Sequence, residues 1–224
     1  MKLITAFVVL VCVAGSASGQ TAGPESAAAA RLPAEIPIFP LGDATLFPGI
    51  SRPFLIFEPR YRAMIADALK GDHIIGMVFL KPGFEANYEG RPPIYEIGCA
   101  GEISEYELLP DGRYTIVLHG LVKFRVTGED NRQPYRLARV NPIPETPRDD
   151  DLARLSALRE RLSMLLVAII PPGADLPPAG IPDATFINAV AMYVNIPEAA
   201  RQQLLERDGL LARAQALIEL LESR

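Results

Sequence analysis

The chain has 224 residues, 49% of them hydrophobic, and a formal net charge of −5. That size and composition allow one large domain, or one domain with a helical appendage, built on a sizeable core. An acidic chain with no basic run excludes nucleic acid as an expected partner, because phosphate binding needs clustered Lys and Arg.

Residues 1–19 read as a signal peptide. Lys2 supplies a short basic start, Leu3 to Ala14 a nearly unbroken apolar run, and Ala17-Ser18-Gly19 a small-residue cleavage site before Gln20. The apolar run is about a dozen residues, short of the ~20 that a spanning helix needs. No stable transmembrane segment is therefore expected after cleavage, and the chain is expected to be exported, periplasmic or extracellular. The alternatives are a retained N-terminal anchor or a mis-called start codon. Cleavage removes Cys12 and leaves Cys99 alone, so no intramolecular disulfide can form. Cys99 falls in an apolar strand pattern and reads as a buried thiol, the other reading being a reactive or bridging one.

Residues 20–35 are rich in Ala, Ser and Gly and read as a flexible leader. Structure is expected from Ile36. Residues 36–141 form a strand-rich subdomain. Strands are predicted over 36–41 and 54–57, flanking a turn-rich connection. Pro37 and Pro40 remove ladder donors and predict an edge or interrupted first strand. Pro59 suits the first position of a helix whose apolar face is Tyr61, Met64, Ile65, Ala68 and Leu69, with Gly71 as its C-terminal cap. Residues 74–80 read as a buried strand. Residues 81–93 are a loop. Residues 94–108 return to strand, with a bulge or bend at Gly98 to Gly101. Pro110-Asp111-Gly112 turns the chain into Tyr114 to Leu118. Gly120 breaks that pattern before Val122, Phe124 and Val126 alternate with Lys123 and Arg125. A last strand covers 135–140.

Residues 142–150 form a Pro-rich connector, and residues 151–224 a helical subdomain. Leu152, Leu155, Leu158, Leu162, Leu165, Leu166 and Ile169 recur at helical spacing. Pro171-Pro172-Gly173 ends that helix and a loop follows to Pro182. Three more helices are predicted, opening at Asp183, Pro197 and Leu210. The fold class is α+β: about six strands and one helix in a barrel-like arrangement, then a bundle of about four helices.

The order of several motifs resembles the N-terminal, substrate-binding domain of Lon-type proteases. They are Phe39-Pro40-Leu41-Gly42-Asp43, Phe47-Pro48-Gly49, Phe57-Glu58-Pro59-Arg60-Tyr61, Leu109-Pro110-Asp111-Gly112 and Gly120 to Val126. The segments Asp183 to Val194, Ile196 to Leu205 and Arg207 to Leu221 continue the likeness. The resemblance implies a twisted, PUA-like pseudo-barrel joined to a helical subdomain. It implies binding of unfolded or extended polypeptide segments, in the family on behalf of a protease. It carries no catalysis, because the family's catalytic residues lie in another domain, and it leaves no room in this sequence for the ATPase and protease. Gly42 stands where the family often carries Arg or another polar residue, and the signal peptide departs from a protease that works inside the cell.

No mechanism of its own is legible. There is no phosphate-cradling G-x-x-x-x-G-K-[ST], no H-E-x-x-H and no cysteine pair. His73 and His119 lie in different elements. Neither a catalytic residue, a metal site nor a cofactor is expected, and the protein is read as a non-enzyme. Peptide-binding candidates are Phe84 and Tyr88, aromatics in a Gly- and Pro-rich loop that could grip an extended peptide or tuck back as a lid on the core. Leu41 and Phe47 are further candidates that also fit the core. Arg60 is either a fork for a peptide carboxylate or a local partner of Glu58. Glu58, Pro59 and Tyr61 read as a structural corner, with Glu58 favouring the helix N-terminus. The alternative to a free-standing binding module is an adaptor that docks on a partner protease or membrane assembly through its helices.

Overall fold

Proline and aromatic placement sets the first half of the fold. The computed structural model describes residues 24–84, 87–88, 90–169 and 180–223. The segment read above as a signal peptide and the 170–179 part of the predicted loop lie outside them. The elements run α1 (Pro24–Arg31), β1 (Glu35–Leu41), β2 (Ser51–Ile56), α2 (Pro59–Ala68), β3 (Ile74–Leu80), β4 (Ile94–Leu108), β5 (Tyr114–Asp130), β6 (Arg136–Ile143), α3 (Asp149–Ile169), α4 (Asp183–Tyr193), α5 (Glu198–Glu206) and α6 (Gly209–Glu222). This is a mixed α+β fold with one six-stranded sheet, ordered β2-β5-β4-β3-β1-β6. The far end of β5 also pairs with β6, so the strand order returns on itself.

Four local readings change. The segment expected as a flexible leader contains α1, whose Ala28 and Ala29 pack on the strands beside Ile36, Val122 and Phe124. A run of alanines favours helix once it has a surface to bury against. Of the two expectations for β1, an interrupted strand fits and a plain edge does not: its first half pairs with β6 and its second half runs parallel to β3. Pro37 is registered only with β6 and Pro40 only with β3, so each has a side on which a missing N–H costs no ladder bond. The residue with left-handed backbone after α2 is His73 (φ 60°), not Gly71. The N–H groups of both donate to the Ala68 carbonyl.

The fourth change is at Gly120. β5 runs through it without a break, and the register with β4 skips Leu121 instead. Gly120 bonds on its other side, accepting from Gly49 N–H (2.8 Å) and donating to the Ile50 carbonyl (2.9 Å). A β-carbon there would collide with the Phe47 carbonyl, so glycine is what lets the β1–β2 connection lie against the sheet.

α2 follows the sequence reading. Pro59 opens it and Tyr61, Met64, Ile65 and Ala68 are buried. Tyr61 and Phe54 both meet Phe39 edge to face, at 4.7 and 5.8 Å between ring centres. The four predicted C-terminal helices are present. Their core takes in Phe47 and Ile50 from the β1–β2 connection and Ile97 from β4, so the two halves share one apolar interior.

A buried ionic network fastens that shared interior. Glu145, in the connector, accepts from Lys123 of β5 at 2.5 Å and from Arg213 of α6 at 2.6 Å. Lys123 also donates to the Arg207 carbonyl, and Arg213 to the Leu204 carbonyl and to Asn188 Oδ1. Asn188 in turn donates to the Pro48 carbonyl. Glu25 of α1 accepts from the Glu145 N–H, and burial pushes its carboxyl above the usual carboxylate range. Lys123 had an outward-facing place in the strand alternation. It is buried because the helices cover that face.

Removing one member of such a network strands the others without water. Arg213→Ala is expected to cost about 3–5 kcal/mol, read as a lowered urea midpoint.

Candidate functional site

A cleft of about 750 Å³ lies between the free side of β2 and the ends of β1 and β3. Every residue from Arg52 to Glu58 lines it, with Phe39 and Leu41 opposite and the loop residues Lys81, Pro82 and Phe84 at one end. Glu198 and Ala199 of α5 close another side, so the helical half contributes a wall. The lining is predominantly apolar, and Leu55, Phe57 and Phe84 are exposed, Phe57 at 62%. Exposed aromatics converging on one concavity are the usual form of a binding surface.

The corner at Glu58 to Tyr61 organises the loop end. Glu58 precedes Pro59 as the N-cap residue of α2, yet its carboxylate makes no cap bond. It accepts instead from Tyr88 Oη (2.7 Å) and Arg60 Nε (3.0 Å). Arg60 donates onward to the Tyr88 carbonyl at 3.3 Å and lies between the Tyr61 and Tyr88 rings, 4.7 and 4.8 Å from their centres. Burial is the main reason that the Tyr61 hydroxyl is held well above the ordinary phenol range; Tyr88 is raised for the same reason first and by Glu58 second. The corner therefore pins Tyr88 of the loop to α2, and Phe84 stands exposed in the cleft lining.

The sequence candidates separate into three groups. Leu41, Phe84 and Tyr88 line the cleft. Arg60 stands behind Tyr61 and Tyr88, beside a smaller hollow of about 220 Å³ that it shares with Arg91 and Arg136. Phe47 is fully buried in the helical core, where the Arg213 guanidinium stacks on its ring, and is removed from the binding set. Its ring is needed there because it bridges the two halves. Leu55 and Phe57 are the residues that sequence reasoning passed over. Their apolar character read as strand interior, and only the pairing order reveals that β2 has an open side.

Other chemistry-bearing groups lie elsewhere. His119 Nδ1 and Ser51 Oγ are 2.9 Å apart on the β2–β5 surface, and neither residue lines the cleft. Burial lowers the His119 pKa, with Glu102 opposing it. Cys99 is fully buried, and burial raises its thiol pKa well above the usual value. Among the described residues, no group of three or more His, Cys, Asp or Glu could hold a metal.

If Arg60 is the pin, Arg60→Ala should loosen the loop without unfolding the domain. Charge-assisted bonds of this kind are worth about 1.5–3 kcal/mol. Amides of residues 81–93 should then exchange roughly tenfold faster or more, while those of β4 stay protected.

The family model for the ATP-dependent protease La (LON) substrate-binding domain matches residues 35–223. The Lon protease of Flavobacterium johnsoniae is 29% identical over 199 residues, covering 82% of this chain and 23% of that protein. The Lon protease of Anaeromyxobacter dehalogenans is 28% identical over 200 residues, covering 86% and 24%. The chain thus spans about a quarter of the length of these relatives. The solved N-terminal domain of Mycobacterium avium complex Lon protease superposes with a TM-score of 0.62 at 16% identity, over 85% of this chain and 99% of that one. The Lon N-terminal domain protein from Xanthomonas campestris gives 0.54 at 20% identity, over 84% and 97%. The fold is that of a Lon N-terminal domain, and the chain belongs to the family of Lon substrate-binding domains.

Proposed function

We propose that this protein is a non-enzymatic polypeptide-binding module whose site is the cleft between β2, the 81–93 loop and α5. The observation that carries this reading is the clustering of Leu55, Phe57 and Phe84, all exposed, on one apolar concavity. A folded chain gains nothing from leaving such side chains in water, whereas burying a Phe or Leu stabilises by about 1.5–3 kcal/mol. Family membership adds the class of ligand: unfolded or extended segments of other proteins. The β5–β6 pairing closes β5, β4, β3, β1 and β6 on themselves and leaves β2 at an edge, which fits a PUA-like pseudo-barrel with the helical half completing the groove. The apolar run from Leu3 to Ala14 supports export of the module from the cytoplasm.

A second reading has an observation of its own. Met164 and Val167, one helical turn apart on α3, are each 68% exposed, with Leu152 and Ile169 also open. The Met164–Val167 pair suits docking onto a partner protease or membrane assembly and can coexist with the cleft.

Binding to a reduced and alkylated model protein, measured by fluorescence anisotropy, tests the first reading. Phe57→Ser and Phe84→Ala should each weaken binding by roughly fivefold or more, the cost of losing about 1 kcal/mol of anchor contact. Met164→Ser should leave it unchanged. Equal affinity in all variants would remove the cleft from the function.

A further inference from the structure

We infer that the cleft takes its ligand as an added β-strand on the free edge of β2, an inference that rests on the polypeptide-binding reading above. Strand side chains alternate between faces, so a concavity over one face touches every second residue. This cleft touches every residue from Arg52 to Glu58, so it follows the edge of the strand. The opposite edge of β2 is occupied by β5, in register from Ser51↔His119 to Ile56↔Tyr114. Across the cleft, β1 presents only the alternate residues Phe39 and Leu41.

The polar groups on this edge follow from alternation. The Ile50 carbonyl bonds to Gly120 of β5, which directs the backbone groups of 52, 54 and 56 to β5 and those of 51, 53 and 55 away from it. The Ser51 carbonyl accepts from Tyr193 Oη at 3.2 Å, as an outward group would. Pro53 has no N–H and sits where no β5 ladder donor is required. What β2 offers an incoming chain is the Pro53 and Leu55 carbonyls and the Leu55 N–H. Proline and a side-chain cap at one end limit edge-to-edge pairing between copies while leaving a short docking stretch.

Charge selects the occupant. Asp43, Glu58 and Glu198 in the lining are faced by Arg52 and Lys81, and Arg60 and Arg201 hold Glu58 and Glu198. The cleft is thus close to electroneutral. It complements an uncharged extended segment with apolar side chains at alternate positions, read by backbone pairing.

The test uses a fluorescein-labelled peptide of about ten residues alternating valine or phenylalanine with threonine, and two versions N-methylated on one or the other alternate set. Strand addition turns one set of N–H groups toward β2 and the other away. One methylated peptide should lose about tenfold or more in affinity, the worth of one or two hydrogen bonds, and the other should stay within about threefold. Equal retention or equal loss in both overturns the inference, while leaving the cleft as a binding site. Failure of the unmodified peptide to bind overturns the polypeptide-binding reading itself. On the protein side, Leu55→Pro deletes the edge N–H, and Leu55→Ser keeps it while removing the apolar side chain. The proline variant should bind more weakly than the serine one. If it does not fold, the methylated pair still decides.

Discussion

The docking of the helices against the sheet, which gives the cleft its α5 wall, depends on the buried carboxylate of Glu145. It sits between Lys123 of the sheet and Arg213 of the last helix, and all three side chains are almost wholly out of water. Such an arrangement is weak evidence for net stability, because desolvation offsets the Coulombic gain. Its consequence is geometric. Three charges that must find each other, plus Asn188 on the Pro48 carbonyl, admit one docking of helices against strands. α5 is carried by that docking, and with it the Glu198–Ala199 wall of the cleft. Sequence distances of 22 and 68 residues separate the partners, so the network closes only when both halves are folded.

The cleft then exists because the strand order leaves one edge open. β5 is long enough to pair with β2 along its first half and β6 along its second. β1 hands over from β6 to β3 near Ile38. The open edge of β2 therefore faces the end of β1, and the gap between them is the site. α2 underlies it through Tyr61 on Phe39, and the Glu58–Arg60–Tyr88 corner fixes the loop at its end. Rigid supports around exposed aromatics are what a recognition surface needs, since ordering the site beforehand lowers the entropy lost on binding.

Much of this was legible in the residues, and the failures have physical causes. α2 was readable because Pro59, the Tyr61–Met64–Ile65–Ala68 face and the turn after it all act within a dozen residues. β3 was readable from its unbroken apolar run. Lys123 was not, because alternation assigns a residue to a face of a sheet and says nothing of what later covers that face. Arg213 was hidden inside the periodic run of Leu210, Ala214 and Leu217. No local signal pairs it with Glu145. Phe47 fitted both a site and the core, and it is the ring on which the two halves close. Leu55 and Phe57 fell within a predicted strand, and a strand prediction does not say which of its edges is paired. Which edge stays unpaired is a property of the whole strand order, and so the candidate site was only half visible: its loop was seen and its floor was missed.

The central claim is that helices and strands are one cooperative unit through Glu145. Native-state hydrogen exchange in rising urea tests it most directly. The slowest amides of β5, α4 and α6 should converge on a single unfolding transition with one free energy and one denaturant slope. A helical half that opens at lower urea while β4 and β5 stay protected would contradict it.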